Sequence, residues 1–268
     1  MSAWRATDRY HRNLRSQDGE QVFLQRERVD ALVGKCGNVR SSANPEMPHD
    51  LESLRAIQRQ YASRVVERRL EADPELVAAV DMHLSESLGI GVVVTMRMPD
   101  LEVVEAKWVS REVDFPYIPG FLSFREAPLC IEAIGQLECR PDLLLVDGHG
   151  KAHPLRCGVA SHIGVELALP TIGVAKSRLV GRHRELQPEK GSMTDLVSGD
   201  ELIGRVLRTR DRVRPVFVSV GNLVTLDEAV RWTLELARRY RLPEPSHLAH
   251  KLASERARAM RSSGHSEK

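Results

Sequence analysis

An α/β fold, with a mixed β-sheet flanked by helices, is predicted for this chain of 268 residues. Three observations carry that prediction. Three short, β-branched runs follow one another with only turn residues between them, as in an antiparallel meander. Beyond them helical and strand-like segments alternate, which is the grammar of parallel pairing. The later strands are apolar along their whole length, so helices must cover both of their faces.

Residues 1–48 mix charges of both signs with little apolar periodicity, and Ser41-Ser42-Ala43-Asn44-Pro45 has the composition of a linker. A weakly ordered N-terminal extension is expected there. From Asp50, Leu51, Leu54, Ile57, Tyr61 and Val65 recur at three- and four-residue spacing, an amphipathic helix that ends before Asp73-Pro74. The meander strands are read at 76–81, 91–96 and 103–109, the last two separated by the turn Met98-Pro99-Asp100. A helix over 121–139, a strand over 142–147, a helix over 157–169 and a strand over 171–175 make up the alternating part. Segments 201–208 and 215–219 read as a hairpin and 227–240 as a helix. One domain over 49–258 is expected, followed by a flexible tail at 259–268 that contains Ser262-Ser263-Gly264.

Composition excludes several function classes. No run reaches the roughly 18 apolar residues of a membrane span, and the charged N-terminus lacks a signal-peptide core, so a cytoplasmic protein without a membrane partner is expected. Cys36, Cys130, Cys139 and Cys157 form no Cys-x-x-Cys pair, which favours reduced thiols over a zinc ribbon. His149, His153 and His162 are close in sequence, but Pro154 interrupts any helix joining them, and zinc ranks below magnesium. With a net charge of only +2, a nucleic-acid partner must be met by a local basic patch. Arg205, Arg208, Arg210, Arg212 and Arg214 are candidates, a solvated hairpin face being the equal alternative.

Two apolar strands end in aspartate, Asp81 and Asp147. Ligands of open α/β sheets bind at the carboxyl ends of strands, and carboxylates gathered there repel unless a cation lies between them. Either aspartate alone reads as a turn or cap residue. Together with Glu126 they give three acids on three segments, a pattern that suits Mg²⁺ and the cleavage of a phosphodiester. Lys176, beyond a further apolar run, is placed to neutralise charge developing on a phosphate. Glu126 closes a stretch rich in aromatics: Phe115, Tyr117, Phe121 and Phe124 fall within one dozen residues of a chain with five Phe, three Trp and four Tyr in all. Pro116 and Pro119 restrict the backbone around Tyr117.

These motifs are specific enough to resemble a known family. The runs Val77-Ala78-Ala79-Val80-Asp81, Pro116-Tyr117-Ile118-Pro119-Gly120-Phe121-Leu122-Ser123-Phe124-Arg125-Glu126 and Pro141-Asp142-Leu143-Leu144-Leu145-Val146-Asp147-Gly148-His149-Gly150 are similar to those of endonuclease V, the deoxyinosine-specific nucleases. Ala152-His153-Pro154, Gly158-Val159-Ala160-Ser161-His162, the segment from Pro170 to Ser177 and Pro243-Glu244-Pro245 follow in the same order.

The resemblance implies a ribonuclease H-like endonuclease domain over 49–258. It implies a Mg²⁺-dependent enzyme, with Mn²⁺ able to substitute, that hydrolyses the second phosphodiester 3′ to deoxyinosine. Asp81, Asp147 and Glu126 match metal-binding or catalytic carboxylates, and Lys176 matches the active-site lysine. Tyr117, Ile118, Pro119 and Gly120 match the wedge that fills the gap left by an extruded base, with Gly148 and His153 as further DNA-binding positions. The implied partner is deoxyinosine-containing DNA, inosine-containing RNA being the alternative substrate, and a monomer is expected. One departure is expected at Asn222, where the resemblance leads one to look for a histidine near the metal. An asparagine amide cannot relay a proton, which keeps a non-cleaving or weakly cleaving inosine binder as an alternative function.

Overall fold

The computed structural model describes residues 50–85, 88–113 and 115–263. The expected extension at 1–48 and the last part of the expected tail lie outside the described residues. Helix α1 spans Leu51–Arg64, with Asp50 as N-cap accepting from Ser53 N at 2.8 Å. The meander follows as β1 (Leu76–Leu84), β2 (Leu88–Arg97) and β3 (Glu102–Glu112). Then come α2 (Leu122–Gly135), β4 (Leu143–Val146), α3 (Val159–Leu167) and β5 (Thr171–Ala175). The chain continues through β6 (Met193–Ser198), β7 (Glu201–Leu207), β8 (Val216–Asn222), α4 (Leu226–Leu236) and α5 (Glu244–Ser263). No helix among the described residues is long and apolar enough to cross a membrane.

All eight strands form one mixed sheet in the order β3-β2-β1-β4-β5-β8-β7-β6, parallel only at β1–β4 and β4–β5. Strand periodicity then divides the core. Val77 and Ala79, Ile90, Val92 and Val94, and Leu143 and Leu145 face α4 and α5, where Ala229, Trp232, Ala249 and Leu252 cover them. Ala78 and Val80, Val93, and Leu144 and Val146 face α2 and α3, meeting Ala127, Leu129, Ile134 and Ile163. This is why the central strands carry no polar alternation: each side chain meets a helix whichever way it points.

Three readings are corrected. Strand β6 was not anticipated; it pairs with β7 at the edge of the sheet, where Met193 is exposed and only Leu196 is buried, so it lacks the apolar signature of the inner strands. The single helix expected over 227–240 is shorter, and a second one, the 20-residue α5, follows it. That helix runs to Ser263. Strand β1 also continues beyond Asp81 to Leu84, paired with β2, so Asp81 sits where β1 outruns its parallel neighbour β4 rather than at its end.

The sheet and the loop after β4 are in very close contact. A Cβ at Gly173 in the middle of β5 would lie 2.5 Å from Gly150 N and 2.8 Å from Gly148 O, all backbone. Only glycine permits that approach, and it presses the loop carrying Asp147 onto the sheet. Gly173→Ala is therefore expected to cost about 1–3 kcal/mol by overpacking and to lower the thermal midpoint measured by calorimetry.

Candidate active site

Parallel pairing of β1 with β4 sets Val80 beside Val146, and the next residue of each strand is an aspartate. Odd-numbered positions of both strands point toward α5, so Asp81 and Asp147 emerge on the same face. Helix α5 packs on that face through Ala249, Leu252 and Ala253 and carries His250 to the same place. One ligand atom from each of Asp81, Asp147 and His250 lies within 4.8 Å of the others, the one such group of His, Cys or acidic side chains among the described residues. His250 Nδ1 is 2.6 Å from Asp81 Oδ2. Lys176, just beyond β5, forms an ion pair with Asp147 Oδ2 and approaches His250 Nδ1 at 3.4 Å. A single imidazole nitrogen cannot donate to Asp81 and accept from Lys176 in the same tautomer, so the two contacts are alternatives at His250 Nδ1.

Two hard carboxylate oxygens and an imidazole nitrogen, with no thiolate, are a donor set that fits Mg²⁺ or Mn²⁺, the imidazole being better suited to Mn²⁺. Glu126 on α2 lies outside this group of ligand atoms but close enough for Asp81 and Asp147 to act on its charge. His250 is the residue that sequence reasoning missed. A signal was present: Pro243-Glu244-Pro245 opens a helix, and Leu248, Leu252, Ala253 and Ala257 then recur at helical spacing.

Asn222 is the main correction. It ends β8 and pairs with Thr171 at the start of β5, whereas Lys176 follows the end of β5. Five residues rising about 3.3 Å each put roughly 16 Å between those two ends of the strand. The amide has a structural task instead: Nδ2 donates to Gly164 O at 2.9 Å and Oδ1 accepts from Val66 N at 3.0 Å, tying α3 to the segment after α1. The imidazole sought at Asn222 is supplied from α5 by His250.

The aromatic stretch divides as its chemistry requires. Phe121 and Phe124 are buried with Leu54 of α1, and Ile57, Phe115 and Ile118 pack around them. Tyr117 is 68% exposed. Between them, Phe121 N donates to Ile118 O at 3.0 Å with Pro119 and Gly120 in the middle and Gly120 at φ +86°, the signature of a type II turn. His153 is buried and its Nε2 donates to Gly120 O at 3.2 Å, while its Nδ1 accepts from Leu155 N at 3.2 Å. Both ring nitrogens are thus used with one proton between them, in keeping with a pKa pushed down by burial to about 4. His153 therefore supports the turn from beneath. Gly148 follows Asp147 directly and is half-buried.

The remaining histidines form no metal group among the described residues: His149 Nε2 meets Ser177 O at 3.0 Å, and His162 packs against Tyr61 in a tilted pair with ring centroids 4.2 Å apart. Cys130, Cys139 and Cys157 are free thiols. Of the arginine group, Arg205 is paired with Asp195, Arg208 donates to the carbonyls of Leu186, Gln187 and Val213, and Arg210 donates to Arg239 O. Arg212 and Arg214 are the exposed members left for an anion.

Comparison with known proteins places the chain among relatives of shared sequence and fold. A family model for endonuclease V matches residues 59–251. The endonuclease V of Gloeobacter violaceus is 52% identical over 199 residues, which make up 72% of this chain and 81% of that protein. The crystal structure of endonuclease V from Streptomyces avermitilis superposes with a TM-score of 0.77 at 38% identity, covering 85% of this chain and all of that one. The fold is shared more widely, with a TM-score of 0.69 at 23% identity to Ciona intestinalis endonuclease V, solved with a DNA containing inosine; 78% of this chain and 98% of that one are covered. The mixed sheet and its helices are accordingly ribonuclease H-like.

Burial raises the pKa of Asp81 to about 6, helped by the charge of Asp147 and opposed by Lys176 and His250. Burial likewise raises that of Glu126 to about 8, with Asp81 and Asp147 adding to the effect. The folded protein thus holds these protons more tightly than the unfolded chain, whose carboxylates titrate near 4. Its stability contribution from the two groups is present below that value and is lost as pH rises through 6 and then 8. A divalent cation relieves the same repulsion but must displace protons to bind. The rise in thermal midpoint on adding Mn²⁺ or Mg²⁺, measured against a chelator control, is expected to grow from pH 5 to pH 8 and to shrink in Asp81→Asn protein. A metal-induced shift that is flat across that range would contradict this account.

Proposed function

The chain belongs to the endonuclease V family, and on that premise we propose that it is a divalent-metal-dependent DNA repair endonuclease that recognises deoxyinosine and hydrolyses the second phosphodiester 3′ to it. The observation that carries the reading is the convergence of Asp81, Asp147, His250 and Lys176 at one point of the sheet, with Glu126 beside them on the segment that also presents Tyr117. Mg²⁺ or Mn²⁺ held by Asp81, Asp147 and His250 would activate water and steady the departing oxygen. Lys176 offers its ammonium to the phosphate, with Asp147 holding it in place. Glu126, protonated near neutral pH before metal arrives, has a carboxyl proton to exchange at the cluster.

Recognition falls to the other end of the same segment. Extruding a nucleotide costs about a few kcal/mol, least when the base is mispaired. Stacking one aromatic ring in the gap returns roughly 1–3 kcal/mol, so the exposed Tyr117 can offset much of the loss. The alternative of a non-cleaving binder rested on Asn222 and loses that ground with its position at the far end of β5. A protein that only bound DNA would also be weakened by clustered carboxylates facing phosphates.

A duplex with a single deoxyinosine, end-labelled so that the nick can be mapped, tests the reading. Asp147→Ala is expected to lose about 10²–10³-fold or more in metal-dependent nicking while still binding the duplex. Nicking that persists in that variant would refute the site. Cleavage of the matching inosine-containing RNA, run alongside, decides which nucleic acid is preferred.

A further inference from the structure

Gln58 of α1 is 1% exposed, yet it is a polar residue on the buried face of a helix that otherwise contributes Leu54 and Ile57 to the aromatic cluster. Its Nε2 donates to Gly120 O at 2.8 Å, across 62 residues of sequence. That carbonyl also receives the His153 Nε2 proton at 3.2 Å, so two side chains from two separate elements converge on one backbone oxygen. The oxygen belongs to the positive-φ residue of the turn, and Gly120 has open space where a Cβ would stand. No side chain of its own anchors Gly120, and its carbonyl is where the rest of the protein takes hold.

The amide gains little for stability in return. Gln58 Oε1 has no partner among the described residues, and a buried acceptor left unpaired is a cost that an apolar side chain of the same shape avoids. A residue of that kind makes sense as a positioning device. The turn spans 118–121, with Tyr117 immediately before it and Phe121 leading into α2 behind it. Fixing the Gly120 peptide fixes the direction in which Tyr117 leaves the protein.

We propose that Gln58 is a positioning residue for DNA recognition: with His153 it clamps the Gly120 carbonyl and thereby pre-organises the Tyr117 turn for insertion into a duplex. The inference rests on the function proposed above but concerns a residue outside the cleavage site. Pre-organisation matters only where a gap must be filled. A deoxyinosine in a duplex leaves such a gap on extrusion, and the same nucleotide in a single strand does not.

The test compares kcat/KM on duplex and single-stranded deoxyinosine substrates for wild-type protein, Gln58→Met, Tyr117→Ala and the double variant. Gln58→Met keeps the length of the side chain and removes the donor. Its duplex to single-strand ratio is expected to fall about 3- to 10-fold, the worth of one hydrogen bond, and Gln58→Met with Tyr117→Ala is expected to fall no further than Tyr117→Ala alone. Gln58→Leu, which fills similar space and likewise offers no donor, is expected to behave in the same way and stands in if Gln58→Met does not fold. An unchanged ratio, an equal loss on both substrates, or additive losses in the double variant would each overturn the clamp. Wild-type protein that cleaves neither substrate would instead overturn the proposed function.

Discussion

Parallel strands β1 and β4 place two carboxylates side by side in a poorly solvated corner, and much of the architecture around them compensates for that choice. Two like charges about 4–5 Å apart repel by roughly 3–4 kcal/mol at the effective dielectric typical of such sites. Side-chain burial of Asp81 adds a desolvation cost, and both effects raise its pKa. Three responses are visible. Lys176 is brought to Asp147 by the next parallel strand. His250 is brought to Asp81 from 169 residues away by a helix laid across the sheet. Protons held by Asp81 and Glu126 cover the remainder until a cation replaces them. An arrangement that costs this much without a ligand is reasonable only where a ligand repays it, which is why the cluster reads as a metal centre and not as a set of surface acids.

How far this was legible in the sequence depended on periodicity. The central strands announced themselves because burial on both faces leaves uninterrupted apolar runs such as 143–146, and the aspartates after those runs were conspicuous for the same reason. Register was not legible: no local feature states that Val80 lies beside Val146, and that pairing makes Asp81 and Asp147 a site. Strand β6 escaped because an edge strand needs only one buried residue, Leu196, to hold it. Helix α5 escaped because its buried stripe relies on Ala249, Ala253 and Ala257 between charged residues, a weak apolar signal despite complete burial. Losing that helix meant losing His250. The resemblance points to an imidazole at position 222 instead, in an apolar strand that does enter the sheet but reaches its opposite end. A motif fixes a place along the chain and leaves open which edge of a strand faces the ligand.

The aromatic stretch shows a different division of labour. A chain with few aromatic rings concentrates them where backbone rigidity is needed, and Phe121 and Phe124 supply it by packing under α1. The prolines and the Gly120 turn then restrict the few residues that remain exposed, so that on the proposed reading Tyr117 would lose little further conformational freedom on engaging DNA. Helix α1 thus supports the Tyr117 turn although it lies far from it in sequence: Leu54 and Ile57 pack on the rings, and Gln58 bonds the turn.

Glu126 and Tyr117 are joined by a segment that is first turn and then helix, and that helix packs through Ala127, Leu129 and Ile134 on the sheet that fixes Asp81, Asp147 and Lys176. On the proposed reading, that connection sets specificity. If the base stays in its stack, Tyr117 has no gap to enter and the segment is held away from the strand it must grip. Once the base is extruded the segment seats, and the carboxyl of Glu126 is fixed beside a phosphate that the sheet residues already address. Discrimination and hydrolysis would then depend on one rigid connection, and a device that stiffens it, such as the bonds converging on the Gly120 carbonyl, acts on selectivity without touching the reacting atoms.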